Sequence, residues 1–506
     1  MLLGAAVHRA KRLRLSDKSP YTPDVPGHSV SIIELACKRM VASMHHGMLL
    51  ACHRAIAQLA IRSILRCGSI CSGSGMGEMS VHYGMTELCA ALGKPNDIRA
   101  QVMFTCENDE AKAEWLGMLK CNSPDTRNHK DAVHMSGRRA HDRISKGPKP
   151  VLSVSLLHAG VSCKDISGLN DEAGNNLAEI LQWLKKLDIG NGLECSDEDM
   201  PNGTTAITLL ATLKYILKHK PGVVMVENVK AFQALEPELR RIFLDLGYAL
   251  CFLQVNSTEF SVPQSRPRIY MVACNRDALP TMPHIRSDAF REFEQQWATK
   301  MVSYLSSLKT RYMADIEDYL FPGDSPILWE TVWNMTTAVN PPEKDLKWPP
   351  RHLELFKSID CPARPGPEQF RKFYDGLKSD ISRTMWEKLC TRQREIIVFF
   401  SILHARAKLT CEWAVDTSQN LWRLGKDPMP DQLPCLTGTS RIWLVREQRL
   451  LIGEECLAIQ GINRGELGSW PGSFTNLLLW SLAGNAFTGE VASAVFYAAM
   501  AANGSM

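Results

Sequence analysis

The sequence predicts an α/β fold built on a doubly wound, mostly parallel sheet, Rossmann-like in order, with a second, smaller domain behind it. Three observations carry that expectation. Short β-branched or apolar runs recur at 102–106, 151–157, 223–226, 249–255 and 269–273. Helix-like stretches, clearest at 176–187 and 207–219, separate several of them. The first run, in residues 65–77 (LRCGSICSGSGMG), breaks into a glycine-rich turn, the pattern of a strand feeding a helix N-terminus. Strands alternating with helices over this length indicate βαβ units and a parallel sheet.

The elements follow in order. From residue 32 to about 65, apolar residues at helical spacing predict one or two leading helices. The acidic, turn-rich run GNGLECSDEDMPNG (190–203) reads as a surface loop around Cys195. The alternation stops near Asp277. Residues 280–430 are richer in Trp, Pro and charge, with a long amphipathic stretch at 379–406, and read as the second domain. Helices are expected at 450–460 and at 485–501, the latter rich in Ala and suited to close packing. The divisions drawn are an N-terminal helical extension (1–64), a catalytic α/β domain (65–279), a second domain (280–448) and C-terminal helices returning to the α/β domain (449–506). No internal repeat interrupts them.

Composition bounds the function classes. The chain has 506 residues, 45% of them hydrophobic, enough for at least one large core. No window is apolar enough for a membrane span, and the N-terminus lacks the apolar core of a signal peptide, so an intracellular protein with no membrane partner is expected. The 16 cysteines are scattered without a CxxC pair, which favours neither a disulfide framework nor a metal site. A formal net charge of +4 permits a polyanionic partner without announcing one. The cluster Arg9, Lys11, Arg12 and Arg14 reads either as a nuclear-import signal or as a solvated end.

Several residues fall where a parallel sheet binds ligands. Gly73, Gly75 and Gly77 follow the first strand, where glycines let a cofactor approach backbone amides, although such turns also occur without a ligand. Glu107 ends the second strand, where a carboxylate accepts ribose hydroxyls. Asp131 stands where a third strand ends, in reach of an adenine amino group or as an ordinary loop aspartate. Cys163, in HAGVSCKDIS, follows the next strand onto the carboxyl edge. Glu227, beside Asn228 in VVMVENV, ends another. QSRPR places Gln264, Arg266 and Arg268 ahead of the 269–273 run, the arginines two apart. A nucleophile, an acid and two cations thus converge, against the plainer alternatives of a solvated strand end and a surface ion pair.

Taken in order, these segments resemble the DNA cytosine-5 methyltransferase family from Ser69 to Met500. CSGSGMGE is similar to the family's first motif and FTCEND to its second. GVSCKDIS resembles the nucleophile motif, ENV the glutamate motif and VPQSRPRIYMVA the arginine motif. RLLIGEECLAIQGI resembles the ninth motif, with LPCLTGT as its prelude, and LAGNAFTG the tenth. The resemblance implies S-adenosylmethionine as cofactor, held by Cys71, Gly73, Gly75, Glu107, Asn108, Asp131, Ala132, Ser162, Asn485 and Ala486. It implies Cys163, Glu227, Arg266 and Arg268 as catalytic residues and no metal. The implied partner is double-stranded DNA with the target cytosine flipped out, gripped by the second domain with Arg371, Lys372, Lys378, Arg383, Lys388, Arg392 and Arg394. Protein partners are not indicated. Two other expectations stand beside it: a tRNA-directed enzyme, although the CFT tripeptide of that branch is absent, and a silent nucleic-acid-binding protein of the same fold. The family usually has Asp at Ser69, Gly at Met76 and Pro at Ser162.

Overall fold

The computed structural model describes residues 31–193, 200–310, 312–338, 348–361, 363–408, 412–419, 431–467 and 474–506. The basic cluster Arg9, Lys11, Arg12 and Arg14, and Cys195 in the acidic loop, lie outside them.

Helices α1 (Ile32–Ser43) and α2 (His46–Leu59) open the described chain. The alternation follows: β1 (Ile64–Ile70), α3 (Met76–Ala91), β2 (Arg99–Cys106), α4 (Glu110–Met118), β3 (Arg127–His129), the hairpin β4 (Arg139–Asp142) and β5 (Gly147–Pro150), and β6 (Leu156–Ala159). Next come α5 (Ala173–Lys186), α6 (Thr204–His219), β7 (Val223–Asn228), α7 (Glu236–Leu246), β8 (Ala249–Asn256), β9 (Pro267–Cys274) and α8 (Asp288–Ser307). The sheet has nine strands in the order β5-β4-β3-β2-β1-β6-β7-β9-β8. From β3 through β7 every neighbouring pair is parallel, and β9 runs antiparallel between β7 and β8. Every residue of β7, VVMVEN, is buried, as a central strand covered on both faces requires. The order leaves the ends of β1, β2, β6 and β7 along one edge, where the crossovers turn over and open sheets of this kind bind ligands.

The strand expected at 151–157 is shorter and later in the structure. Ser155 still donates its N–H to the Arg66 carbonyl (2.9 Å), but only from Leu156 does the chain hold parallel register with both Cys67 and Val223. The boundary drawn at 280 also shifts. Helix α8 lies beyond it, yet Phe290, Trp297, Met301 and Leu305 sit in the same apolar core as β7 and β8.

The second unit comprises α9 (Pro326–Asn334), α10 (Trp348–Ser358), α11 (Pro367–Asp375), α12 (Asp380–Glu387), α13 (Thr391–Arg406) and a small antiparallel sheet of β10 (Ala414–Asp416), β11 (Ile442–Leu444) and β12 (Arg449–Leu450). It has its own core around Leu328, Met385, Trp386, Ile396 and Trp443. The amphipathic stretch at 379–406 is two helices, broken where Lys388 accepts the Ala338 N–H (2.7 Å) and Cys390 turns extended to cap α13. Most of the cations expected to grip nucleic acid here are spent on the chain itself. Arg383 pairs with Asp380, and Lys378, Lys388, Arg392 and Arg394 donate to backbone carbonyls. Arg371 and Lys372 stay exposed on α11.

Three helices close the chain: α14 (Gly453–Ile459), α15 (Asn476–Asn485) and α16 (Gly489–Gly504). The helix expected at 485–501 begins four residues later, because Asn485 ends α15 and Thr488 caps α16. Helix α16 is buried almost throughout, and its alanines let it lie close against α2, α3 and α8. Trp297 donates to Asn503 (2.8 Å), and the Tyr497 hydroxyl to the Gly84 carbonyl (3.0 Å). The end of the sequence thus returns to the first strand-helix unit.

Candidate active site

The cofactor end is built on the turn between β1 and α3. Gly73 and Gly75 hold φ of +57° and +80°, a left-handed conformation that strains any residue with a Cβ. At Gly75 a Cβ would also run into Leu119. Glu107, buried at the end of β2, fixes the turn: its carboxylate accepts the Gly73 N–H and the Asp109 N–H, each at 3.1 Å. Exposed Asn108 lends its carbonyl to Arg143 (2.7 Å). Asp131 lies two residues past β3 and caps a short 3₁₀ turn through the Val133 N–H (2.9 Å), with Ala132 half-buried beside it and Val133 half exposed.

A nucleoside fits this arrangement. A carboxylate already anchoring a glycine amide, a second acid past the end of β3 and an exposed apolar side chain beside it are the groups that would meet ribose, amine and ring. Half-buried Cys71 has its thiol pushed up to about 12 by burial, then by Glu107 and Asp131, so it serves as a neutral wall. Ser69 carries no charge, but its hydroxyl donates to the buried Glu78 on α3, whose carboxyl burial pushes up to about 7. A carboxyl group therefore still lies beneath the glycine turn. Sequence reasoning missed Glu78, although its place one turn into the helix after the glycines was the available signal.

The end where the nucleophile is expected lies on β6 and β7, the two strands that follow β1 in the sheet order. Cys163 is half-buried in the loop after β6, its carbonyl accepting the N–H groups of Ile166 (3.2 Å) and Ser167 (2.8 Å). Glu227, at the end of β7, pairs with Arg268 on β9, Nε to Oε1 at 2.8 Å, with both side chains largely buried. Asn228 ties the two loops together by donating to the Val161 carbonyl (2.8 Å). Burial raises the Cys163 thiol above its ordinary range and the Glu227 carboxylate adds to this, while Arg268 and then Arg266 oppose. The two arginines thus oppose the shift without reversing it.

The two arginines have different parts. Arg268 faces Glu227 and also reaches the Sγ of Cys435 (3.5 Å). Arg266 is buried and binds carbonyls: Leu436 (2.7 Å) from Nη1, and Gly484 (3.1 Å) and Ala486 (2.7 Å) from Nη2. It ties together the strand, the LPCLTGT segment and the turn before α16. Gln264 is likewise internal, accepting from Gln460, whose Oε1 takes the Thr488 hydroxyl, both at 2.9 Å. Asn485 turns its amide to the Ser481 carbonyl (2.7 Å), and it is its backbone oxygen that lies against Gly73. Cys435 and the threonines of α6 went unremarked in the sequence. LPCLTGT offered the signal for the first, and TTAIT the signal for the second.

Ser162 stands against the N-terminus of α6. Its N–H donates to Thr208 Oγ1 (3.1 Å) and its hydroxyl meets Thr204 Oγ1 (2.8 Å). A proline there would have no N–H to give.

Residues 199–499 match the family model described as C-5 cytosine-specific DNA methylase. The chain is 22% identical over 449 residues to the DNA (cytosine-5-)-methyltransferase DMT5 of Cryptococcus neoformans var. grubii, covering 86% of this chain and 17% of that protein. It is 25% identical over 236 residues to the DMT5 of Verticillium dahliae, covering 41% and 10%. The chain thus spans less than a fifth of the length of the curated relatives it matches. Among solved structures it is similar to the S. pombe Dnmt2 methyltransferase, at 12% identity and a TM-score of 0.41, covering 86% of this chain and 97% of that one.

Proposed function

We propose that this chain, which belongs to the C-5 cytosine-specific DNA methylase family, methylates C5 of cytosine in DNA through a covalent adduct on Cys163. The observation that carries the reading is the meeting of Cys163 with the Glu227–Arg268 pair at the carboxyl edge of the sheet. Cytosine C5 is a poor nucleophile, so a thiolate must first add to C6 and push electron density toward C5. Cys163 supplies the thiol. Glu227, held by Arg268, is placed to bond the exocyclic amine and N3 as charge builds on the ring.

S-adenosylmethionine, the cofactor of this family, supplies the methyl group. Gly73, Gly75, Glu107, Asp131 and the turn at Asn485–Ala486 are the residues that would hold it, with Glu107 taking the ribose hydroxyls. Because burial raises the Cys163 thiol, its proton leaves most readily when the incoming base is in place or the pH is high. The rate at subsaturating DNA is therefore expected to climb with pH above neutrality. The target base must leave the helix stack to reach the thiol, at a cost of a few kcal/mol.

Duplex DNA containing 5-fluorocytosine tests the reading. Fluorine cannot leave as a cation, so after methyl transfer the thiolate stays bound and a denaturation-resistant adduct is expected with wild type and cofactor. Cys163→Ala should give none while still binding cofactor. Glu227→Gln should slow the adduct by about 10²–10⁴-fold. A protein that binds cofactor and DNA yet forms no adduct would overturn the proposal, and an adduct on fluorinated tRNA alone would redirect it to RNA.

A further inference from the structure

The nucleophile loop has no proline to stiffen it, and α6 presents hydroxyls along its first turn where the loop passes. Thr208 donates its own hydroxyl proton back to the Thr204 carbonyl (2.8 Å), which leaves an oxygen lone pair aimed at the loop. The Ser162 N–H fills it at 3.1 Å. The Ser162 hydroxyl and Thr204 Oγ1 meet at 2.8 Å, one residue from the nucleophile. On the far side of Cys163, Asp165 accepts the Thr205 N–H (2.7 Å), and its own N–H faces Thr205 Oγ1 (3.4 Å). That carboxylate reaches the helix only because Gly203, at φ +118°, lacks a Cβ, which would sit 2.5 Å from Asp165 Oδ2. Cys163 is therefore bracketed on both sides by bonds to one helix end.

We propose that Thr208 and Thr204 are positioning residues for the nucleophile: through Ser162 they hold the Cys163 loop against α6, doing with hydroxyl bonds what a rigid ring would otherwise do. The inference rests on Cys163 being the nucleophile of the proposed reaction. A hydroxyl clamp differs from a proline in kind. Proline removes conformations from the unfolded and folded chain alike, whereas these bonds act only while α6 and the loop are in register. Breaking one should release the loop without unfolding the sheet beneath it, since Val161 remains held by Asn228 from β7.

Release moves two observables in opposite directions. The loop half-buries Cys163 and sets it beside Glu227 of β7, Arg268 of β9 and Arg266 just ahead of β9. Thr208→Val keeps the side-chain shape and removes the hydroxyl. In that variant methyl transfer is expected to fall about five- to tenfold in kcat, with KM for DNA and cofactor affinity unchanged, because a thiol in the wrong place reacts poorly with a base that still binds. Carboxamidomethylation of Cys163 by iodoacetamide, read by mass spectrometry across pH, should become faster with an earlier midpoint, since the freed thiol meets more water. Thr208→Ser should restore both. Thr204→Val, at an exposed position, should show the same pattern more weakly. In a background carrying both Thr208→Val and Thr204→Val, Ser162→Pro should add no further loss, because both bonds it removes, the N–H to Thr208 and the hydroxyl to Thr204, are already gone.

A Thr208→Val protein with wild-type kcat and a wild-type Cys163 labelling profile would overturn the proposal. So would equal impairment in Thr208→Ser, or a further loss from Ser162→Pro once both threonine hydroxyls are removed. Should wild type transfer no methyl at all, the catalytic reading fails on its own, and the Cys163 labelling profile still decides whether the clamp exists. If Thr208→Val does not fold, Thr204→Val carries the same decision.

Discussion

The loop that carries Cys163 and the junction that carries Arg266 lie at the same edge of the sheet and are fixed by opposite chemistry. On its Ser162 side the loop is held by neutral hydroxyls at half-buried or exposed positions, each bond worth about 1 kcal/mol net. The junction is held by a buried guanidinium that satisfies carbonyls from two distant segments, Leu436 on one and Gly484 and Ala486 on the other. Charge-assisted bonds in a dry site are roughly twice as strong as neutral ones, and they leave unsatisfied groups behind when broken. The difference teaches a division of labour. Where three parts of the chain must be locked for the fold to close, a buried charge is used. Where the proposed reaction needs a thiol to approach and leave a base, weaker bonds suffice.

The largest effect expected from this contrast is on stability. Arg266→Met should lower the unfolding free energy by about 3–5 kcal/mol, since two buried carbonyls and a part-buried one lose their donor and the C-terminal segment loses its tie to β9. An unfolding free energy from urea titration within about 1 kcal/mol of wild type would break the comparison. Arg268→Met should act mainly on chemistry, slowing adduct formation about 10²–10³-fold because Glu227 loses the group that holds it. A comparable loss of stability with unchanged adduct rate would reverse the roles assigned to the two arginines. Glu107→Ala should weaken S-adenosylmethionine binding by about 1–3 kcal/mol in calorimetry, as ribose bonds to a charged acceptor go and the Gly73 amide is left without its partner. Unchanged affinity would remove Glu107 from the cofactor site.

How much of this was legible in the sequence follows from how each feature is encoded. Strand ends such as Glu107 and Glu227 are written locally, because an apolar run followed by an acid fixes both the strand and the edge. The roles of Arg266 and Arg268 are not, since two arginines two residues apart look alike until Leu436, Gly484 and Ala486 arrive from far along the chain. Helix α8 was read into the second domain because its own residues carry no mark of the Asn503 side chain that receives Trp297. The same holds for Arg392 of α13, whose carbonyl partners on Thr417, Ser418 and Gln419 are tertiary. Ser162 could be read as a departure from the family pattern, yet its compensation lies in Thr204 and Thr208, whose spacing is that of any helix face. Local chemistry is legible, and the identity of a distant partner is not.

The smallest expected effect compares two thiols, one from each region. Cys163 and Cys435 are both half-buried and both lie near Arg268. For Cys163, burial and then Glu227 raise the thiol, and the arginines only partly offset them. For Cys435, burial raises the thiol too, but Arg268 at 3.5 Å and Arg266 at 3.8 Å outweigh it and hold the group below its ordinary range. At pH 8, then, Cys435 carries the larger thiolate fraction. The thiol with the lower pKa is also the weaker nucleophile once ionised, so each unit of separation is worth roughly threefold in rate after that loss. Iodoacetamide should label Cys435 several times faster than Cys163, and its labelling should level off at lower pH. Arg268→Met takes the nearer cation from Cys435 and should shrink the ratio. Equal labelling in wild type, or a ratio that Arg268→Met leaves untouched, would show that the guanidinium does not set the chemistry of the junction, and the contrast between a charge-held and a hydroxyl-held region would lose its electrostatic half.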